Sequence, residues 1–265
     1  MAQRRGNYAE QAKTYDLTRG ASPTIVRALA KRLGSPDGRS LLDIAGGTGN
    51  YAQVLEARGF TVFVVDAEVG MLRHATRKLP PGRSAAGDAV RLPFRDGSFD
   101  CAILVNGIHL VDDQVAVFRE ARRVIREGPF VLTSFSKENL PPLFVHEYFG
   151  LESLPPPRRS NAELQDLLEE SGFGRVEHES FVYMDSVDGS LEALHTSALH
   201  LAGPAYLRNT SFWHTLDEAT RRRGLDALAA DLRSGVLEER VRESFRVAAE
   251  HGHGTILGAW PHPGG

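Results

Sequence analysis

The stretch LLDIAGGTGNYAQVLEARGFTVFVVDAE, residues 41–68, decides the fold. Two apolar runs, Leu41-Leu42 with Ile44 and then Thr61 to Val65, each end in an aspartate, Asp43 and Asp66, and a glycine cluster lies between them. That order is the pattern of a strand, a sharp turn, a helix and a second strand. Glycine in the turn lets the backbone reverse and lets a ligand come close to it. Gly47-Thr48-Gly49-Asn50-Tyr51-Ala52 also fits G-x-G-x-x-A, and Asp66 lies 19 residues after Gly47, where a carboxylate accepts from ribose hydroxyls. A dinucleotide and a nucleoside both satisfy this much.

The alternation continues outward. Ser22 and Pro23 open a helix over 22–33, before the strand at 41–45 and the helix at 50–58. The strand at 61–65 is followed by a helix at 69–79, a buried strand through 100–106 and a helix at 113–126. Strand 130–135, helix 161–171 and strand 175–183 come next, and a last strand covers 255–260. Such a rhythm predicts an α/β fold with a mostly parallel sheet covered on both faces.

Residues 185–250 break it: they read as helical, interrupted at Gly203-Pro204 and Gly224. Within them SLEALHTSALHLA reads as one helix with an apolar stripe of Leu191, Leu194, Ala198 and Leu201, flanked by His195, while His200 points to solvent. Pro141-Pro142 and Pro155-Pro156-Pro157 bracket a shorter aromatic insertion.

The composition, 42% hydrophobic and 25% charged over 265 residues, is that of an ordinary globular chain. A formal charge of −3 supplies no field to recruit nucleic acid or an anionic membrane. Arg221-Arg222-Arg223 reads as a solvated helix face. The one cysteine, Cys101, excludes an intrachain disulfide, and its apolar surroundings predict a buried, inert thiol. Arg4-Arg5 precedes no apolar segment, and no apolar run approaches the roughly 18 residues of a membrane span, so a cytoplasmic location is expected. His251 and His253 have no acidic or cysteine ligand nearby, so no metal site is expected.

Asp43 breaks the tie over the glycine loop. A carboxylate just before the loop repels a pyrophosphate and suits a ligand with an amino group and a positive centre. A second discriminator is GDAVRLPFRDGSFDCAILVN, residues 87–106, where Asp88 offers an acceptor to an exocyclic amine and apolar neighbours flank a purine. Together they favour a cationic adenine nucleoside with an amino-acid tail over NAD. LLDIAGGTGNY, VVDAEVGML, GDAVRLPF with SFDCAILVNGIHLVDD, and REARRVIREGPFVLTSF stand in this order. In them the chain resembles the class I S-adenosylmethionine-dependent methyltransferases, close to the quinone-biosynthesis C-methyltransferases. The resemblance covers about residues 8–183 and the final strand. The family pattern is acidic-x-Gly-x-Gly-x-Gly, and Ala45 stands where its first glycine is expected.

The resemblance implies a Rossmann-like, doubly wound seven-stranded sheet with a helical cap inserted before the last strand. Its divisions are a core with N-terminal lid helices over 1–184, a cap over 185–254, and the last strand and tail over 255–265. It also implies a cofactor, S-adenosylmethionine, left as S-adenosylhomocysteine after transfer. By position, Asp43 with the backbone of Ala45, Gly46, Gly47 and Gly49 holds the methionine moiety, and Asp66 takes the ribose. Ala67 and Met71 lie beside the adenine, Asp88 accepts from its amine, Ala89 adds a backbone contact, and Asn106 lies beside the sulfonium. Tyr15 and Arg19 resemble the lid that covers the cofactor.

His109, three residues beyond strand 100–106, is the natural general base, with a wall residue as the alternative. His146, Tyr148, His195 and Trp213 are the expected acceptor-side residues, in aromatic, nearly uncharged surroundings that suit a planar or lipophilic small molecule. The expected activity is C-, N- or O-methylation in secondary or quinone-like metabolism, by a monomer or homodimer without nucleic acid or membrane partners. The rivals weighed are an NAD-dependent oxidoreductase, a non-catalytic cofactor-binding protein and an RNA methyltransferase.

Overall fold

The fold comes from a computed structural model that describes residues 8–139, 144–151 and 159–263. Helix α1 (Tyr8–Gln11), a 3-10 turn (Tyr15–Leu17) and α2 (Pro23–Leu33) precede the sheet. Then come β1 (Ser40–Ile44), α3 (Asn50–Ala57), β2 (Thr61–Asp66), α4 (Val69–Lys78), β3 (Ser84–Ala86) and β4 (Cys101–Leu104). A 3-10 turn (Ile108–Leu110), α5 (Gln114–Val124), β5 (Phe130–Ser134), α6 (Val145–Tyr148), α7 (Asn161–Glu170) and β6 (Phe173–Phe181) follow. Between β6 and β7 (Gly254–Pro261) lie α8 (Leu191–Leu194), α9 (Ala198–Leu201), α10 (Pro204–Arg208), α11 (Glu218–Ser234) and α12 (Val236–His251).

The seven strands take the order β3-β2-β1-β4-β5-β7-β6. β7 runs antiparallel to both of its neighbours, while the pairs among β1 to β5 are parallel. Strand alternation divides the core into two layers. Leu41, Ile103 and Val131 pack with Ile25 and Leu29 of α2, Leu55 of α3 and Leu72 of α4. Their chain neighbours Leu42, Leu104 and Leu132 pack with Phe118 and Val124 of α5 and Leu164 and Leu168 of α7. Cys101 is buried in the first layer, and burial pushes its thiol up to about 12, which keeps it inert.

The helix starts follow their sequence signals. Ser22 accepts from Thr24 N before Pro23, and Ser160 and Glu163 form a reciprocal capping box at α7. β3 is the one strand with no local signal. Its three residues, Ser84 to Ala86, have neither length nor apolar alternation, and only pairing with Val64 to Asp66 of β2 makes them a strand.

The cap is rooted at the carboxyl ends of the parallel strands. β7 begins opposite the end of β5, with Thr255 paired to Ser134, and opposite the end of β6, with Gly254 paired to Phe181. It has an apolar cluster of its own, including Leu194, Leu201, Leu207, Trp213, Leu228 and Leu237, joined by Phe144, Val145 and Phe149. The prolines that bracket the aromatic insertion, 141–142 and 155–157, lie outside the described residues.

The single helix expected over SLEALHTSALHLA is two. Ser197 accepts from His200 N and starts α9 afresh. His200, expected in solvent, is turned back: its Nδ1 is bonded to Ser186 Oγ and its ring stacks on Tyr206 at 4.4 Å.

Candidate active site

β1 and β4 are neighbours in the sheet, and the chain leaves them in opposite directions, toward β2 and toward β5. The crevice beyond their carboxyl ends is therefore the topological switch point where open α/β sheets bind ligands. Asp43 is buried there at 2% exposure. Burial, and then the neighbouring Asp66 charge, push its carboxyl up to about 8. A cation brought alongside would hold it ionised. The loop closes over this carboxyl so tightly that a Cβ on Gly46 would stand 2.6 Å from Asp43 Cγ. Ala45 and Asn106, the residues just past β1 and just past Val105, both have left-handed backbone, φ 54° and 52°.

Asp66 faces the same loop. Its Oδ2 accepts from Gly47 N and its Oδ1 from Glu68 N, each at 2.8 Å. Burial is the largest influence on its carboxyl and raises it above the ordinary range. A carboxylate has about four acceptor positions, so acceptance from a ribose hydroxyl remains open beside these backbone bonds. Ala67 is exposed beside it and Met71 is buried. Asp88 is exposed and shapes a turn, accepting from Val90 N at 3.2 Å, with Ala89 half-buried next to it.

The N-terminal segment expected to act as a lid is pinned across the loop. Asp16 accepts from Thr48 Oγ1 at 2.6 Å and pairs with Lys78 at 2.7 Å, and Asn50 Nδ2 donates to the Arg19 carbonyl at 3.0 Å. Arg19 lies over the Tyr15 ring at 5.3 Å and donates to Asn209 O at 2.7 Å.

It also pairs at 3.6 Å with Asp188, a residue that the sequence reading left out. Asp188 is 4% exposed and collects bonds from Tyr51 OH, from Asn106 Nδ2 at 3.2 Å and from Ser190 N at 3.2 Å. Asn106 Nδ2 reaches Tyr183 OH as well, at 3.2 Å. One carboxylate thus ties lid, α3, the β4 turn and the root of the cap. Its sequence signal was a polar cluster, DSVDGS, just beyond the end of a strand.

The acceptor-side candidates divide. His109 is exposed at the carboxyl end of the sheet, edge-on to Phe135 at 5.9 Å. His146 is half-buried against Phe212 at 5.2 Å. Tyr148 OH is taken by Asp231 of α11 at 2.5 Å, and Trp213, 5% exposed, packs on Phe149 inside the cap cluster. His195 is fully buried and edge-on to Phe144 at 4.8 Å. Among the described residues no cluster of three or more histidines, cysteines and acids is placed to hold a metal, and no helix is long and apolar enough to cross a membrane.

The donor set fits a zwitterionic amino-acid tail on a nucleoside. Asp43 and Asp66 offer carboxylates to the cationic and hydroxyl groups. On the lid, Gln11 Nε2 and Arg19 Nε are buried donors without a partner among the described residues. Residues 42–133 match the methyltransferase domain family. The demethylmenaquinone methyltransferase of Beutenbergia cavernae is 36% identical over 63% of this chain and 73% of its own. That of Mycobacterium tuberculosis is 35% identical over 60% and 72%. A protein of Anabaena variabilis assigned as a methyltransferase of an antibiotic biosynthesis pathway superposes with a TM-score of 0.75 at 25% identity, over 92% of this chain and 99% of its own. Phosphoethanolamine N-methyltransferase 2 of Haemonchus contortus, solved with S-adenosyl-L-methionine, shares the fold at a TM-score of 0.59 and 18% identity, over 96% of this chain and 57% of its own. The chain belongs to the class I S-adenosylmethionine-dependent methyltransferases, in the family of the demethylmenaquinone methyltransferases, and S-adenosylmethionine is its cofactor.

Proposed function

We propose that the protein methylates a small aromatic or lipophilic acceptor, a hydroxylated aromatic ring of quinol type, in biosynthesis. The observation that carries this reading is the cap, rooted at the sheet edge that bears Asn106 and His109 and rich in aromatic, uncharged side chains. The relatives' names supply the quinol expectation. When bound, S-adenosylmethionine supplies an electrophilic methyl whose leaving group is a neutral thioether, so no general acid is needed.

The residues' work is to bind, align and exclude water. Asp43, Ala45, Gly46, Gly47 and Gly49 hold the amino-acid tail. Asp66, Ala67, Met71, Asp88 and Ala89 hold the ribose and adenine, while Tyr15, Arg19 and Asn106 close over the sulfonium. His146, Tyr148, His195 and Trp213 belong to the acceptor side. His109 is the base that takes the acceptor proton. Its place just beyond β4 and its exposed ring suit proton transfer to water.

The test is methyl transfer from labelled S-adenosylmethionine to a panel of naphthols, quinols and phenols, read by mass spectrometry. A quinol or phenol product is expected, with His109→Ala turning over about 10²–10⁴-fold slower at unchanged cofactor affinity. Product from amines or polar acids alone would sink the acceptor class. A His109→Ala loss below about fivefold at every pH would leave that ring a wall residue.

A further inference from the structure

β5 is an apolar strand buried along its whole length, and Thr133 puts a hydroxyl at 1% exposure inside it. Such a group persists where both of its polarities are met. One residue meets both. Thr133 Oγ1 accepts from Asn106 N at 2.8 Å and donates to Asn106 Oδ1 at 2.9 Å. From the other side, Asn106 Nδ2 donates to Tyr183 OH and to Asp188 Oδ1, each at 3.2 Å. The backbone N–H, the amide oxygen and the amide nitrogen of Asn106 are therefore all held. The holders are β5, the segment just after β6, and the root of the cap.

The backbone feels the effect. Asn106 has a φ of 52°, in the left-handed region that side chains disfavour and that asparagine tolerates better than most. The next residue shows what this turn is fitted to. A Cβ on Gly107 would stand 3.1 Å from Leu104 Cδ2 and 3.4 Å from Ala45 Cβ. The turn beyond β4 thus lies directly against Ala45, where the turn beyond β1 opens into the glycine loop.

We propose that Thr133 is a positioning residue of the cofactor site: its hydroxyl locks the Asn106–Gly107 turn against the glycine loop before S-adenosylmethionine arrives. This rests on the placement of Asn106 beside the sulfonium given above and deepens it. A turn fixed in advance costs no ordering when the cofactor binds. A turn formed only part of the time divides the affinity by that fraction. Valine matches threonine in size and lacks the hydroxyl, so Thr133→Val leaves Asn106 N–H and Oδ1 without this partner and releases the turn.

The experiment measures S-adenosylmethionine binding to the full chain by calorimetry. Thr133→Val should raise the Kd about 5- to 20-fold, the weight of one buried hydrogen bond on a two-state turn. Thr133→Ser, which keeps the hydroxyl, should stay within about twofold of the parent, a split that a change of packing alone would not give. Because Thr133 acts through Asn106, combining Thr133→Val with Asn106→Ala should cost less than the product of the two single losses. On the unsubstituted protein without cofactor, the Asn106 amide should exchange with deuterium on the order of 100-fold more slowly than in an unstructured chain, which covers a variant that does not fold. Rapid exchange of that amide, an unchanged Kd in Thr133→Val, a serine variant as weak as the valine one, or losses that multiply would overturn the role of Thr133. Asn106 would keep its place at the cofactor as long as Asn106→Ala alone weakens binding. An Asn106→Ala variant that binds as tightly as the parent would overturn both.

Discussion

Asp43 concentrates the electrostatics of the site in one side chain. It is buried under the glycine turn with Asp66 beside it, and burial raises its carboxyl to about 8 from an ordinary value near 3.9. A raised acid stabilises the fold fully below about pH 4, and that contribution is lost as the pH rises toward 8. Asp43→Asn without cofactor should therefore be more stable than the parent at pH 8 by more than about 1 kcal/mol, and the difference should shrink to nothing near pH 4. The same substitution should weaken S-adenosylmethionine binding more than tenfold, because the ammonium group loses its charge partner. Thermal melts from pH 4 to 8 with calorimetry check both. Parallel pH profiles for the two proteins would refute the assignment of a strained, buried carboxyl. Ala45 illustrates a different residue-scale cost. Its φ of 54° is a conformation that an alanine adopts only when the surrounding turn imposes it, at roughly 1 kcal/mol.

The helical segment between β6 and β7 behaves as an element with its own interior. Ala193 of α8 packs into the sheet's first layer, while Leu194 and Trp213 belong to the cap cluster. Trp213 packs on Phe149 at 6.0 Å, with Arg221 over its ring at 5.3 Å. Trp213→Ala should cost about 3–5 kcal/mol of local packing. The expected outcome is a lower melting temperature and a raised acceptor KM, with cofactor Kd within about twofold. A stably folded Trp213→Ala that loses cofactor but handles acceptors normally would contradict a cap built for the acceptor alone.

At the scale of the whole molecule, Asp188 joins parts of the chain that are far apart in sequence. Arg19 of the lid, Tyr51 of α3, Asn106 past β4 and Ser190 at the cap root converge on its carboxylate. Asp188→Asn keeps the shape but leaves the Arg19 guanidinium, 14% exposed, without its countercharge. Breaking such a buried pair costs on the order of 3 kcal/mol. The variant should melt lower, bind S-adenosylmethionine more weakly, and expose residues 8–20 to proteolysis while the sheet stays intact. Unchanged cleavage of that segment, followed by mass spectrometry, would show that the lid is held by Asp16 and its partners instead.

Much of this is legible in the sequence, because each piece rests on local physics. Continuous apolar runs with glycine turns between them specify buried strands whichever way the chain later packs. Ser22-Pro23 starts a helix through a bond to nearby backbone. Asp66 declares its end of the sheet because an acid that closes a buried strand has little else to do, and Asp43 does so by standing just before the glycine turn. What the sequence left silent is decided by contacts across the chain. β3 exists only as a partner for β2, the turn of His200 follows from a helix restarted at Ser197, and the tautomers of His195 and His253 are set by backbone groups of Leu191 and Tyr183. Asp188 is an ordinary loop acid in the sequence. Only when the fold brings residues 19, 51 and 106 around it, beside the local bond from Ser190 N, does one buried charge acquire four partners, since a desolvated carboxylate persists only where the fold supplies donors to meet it.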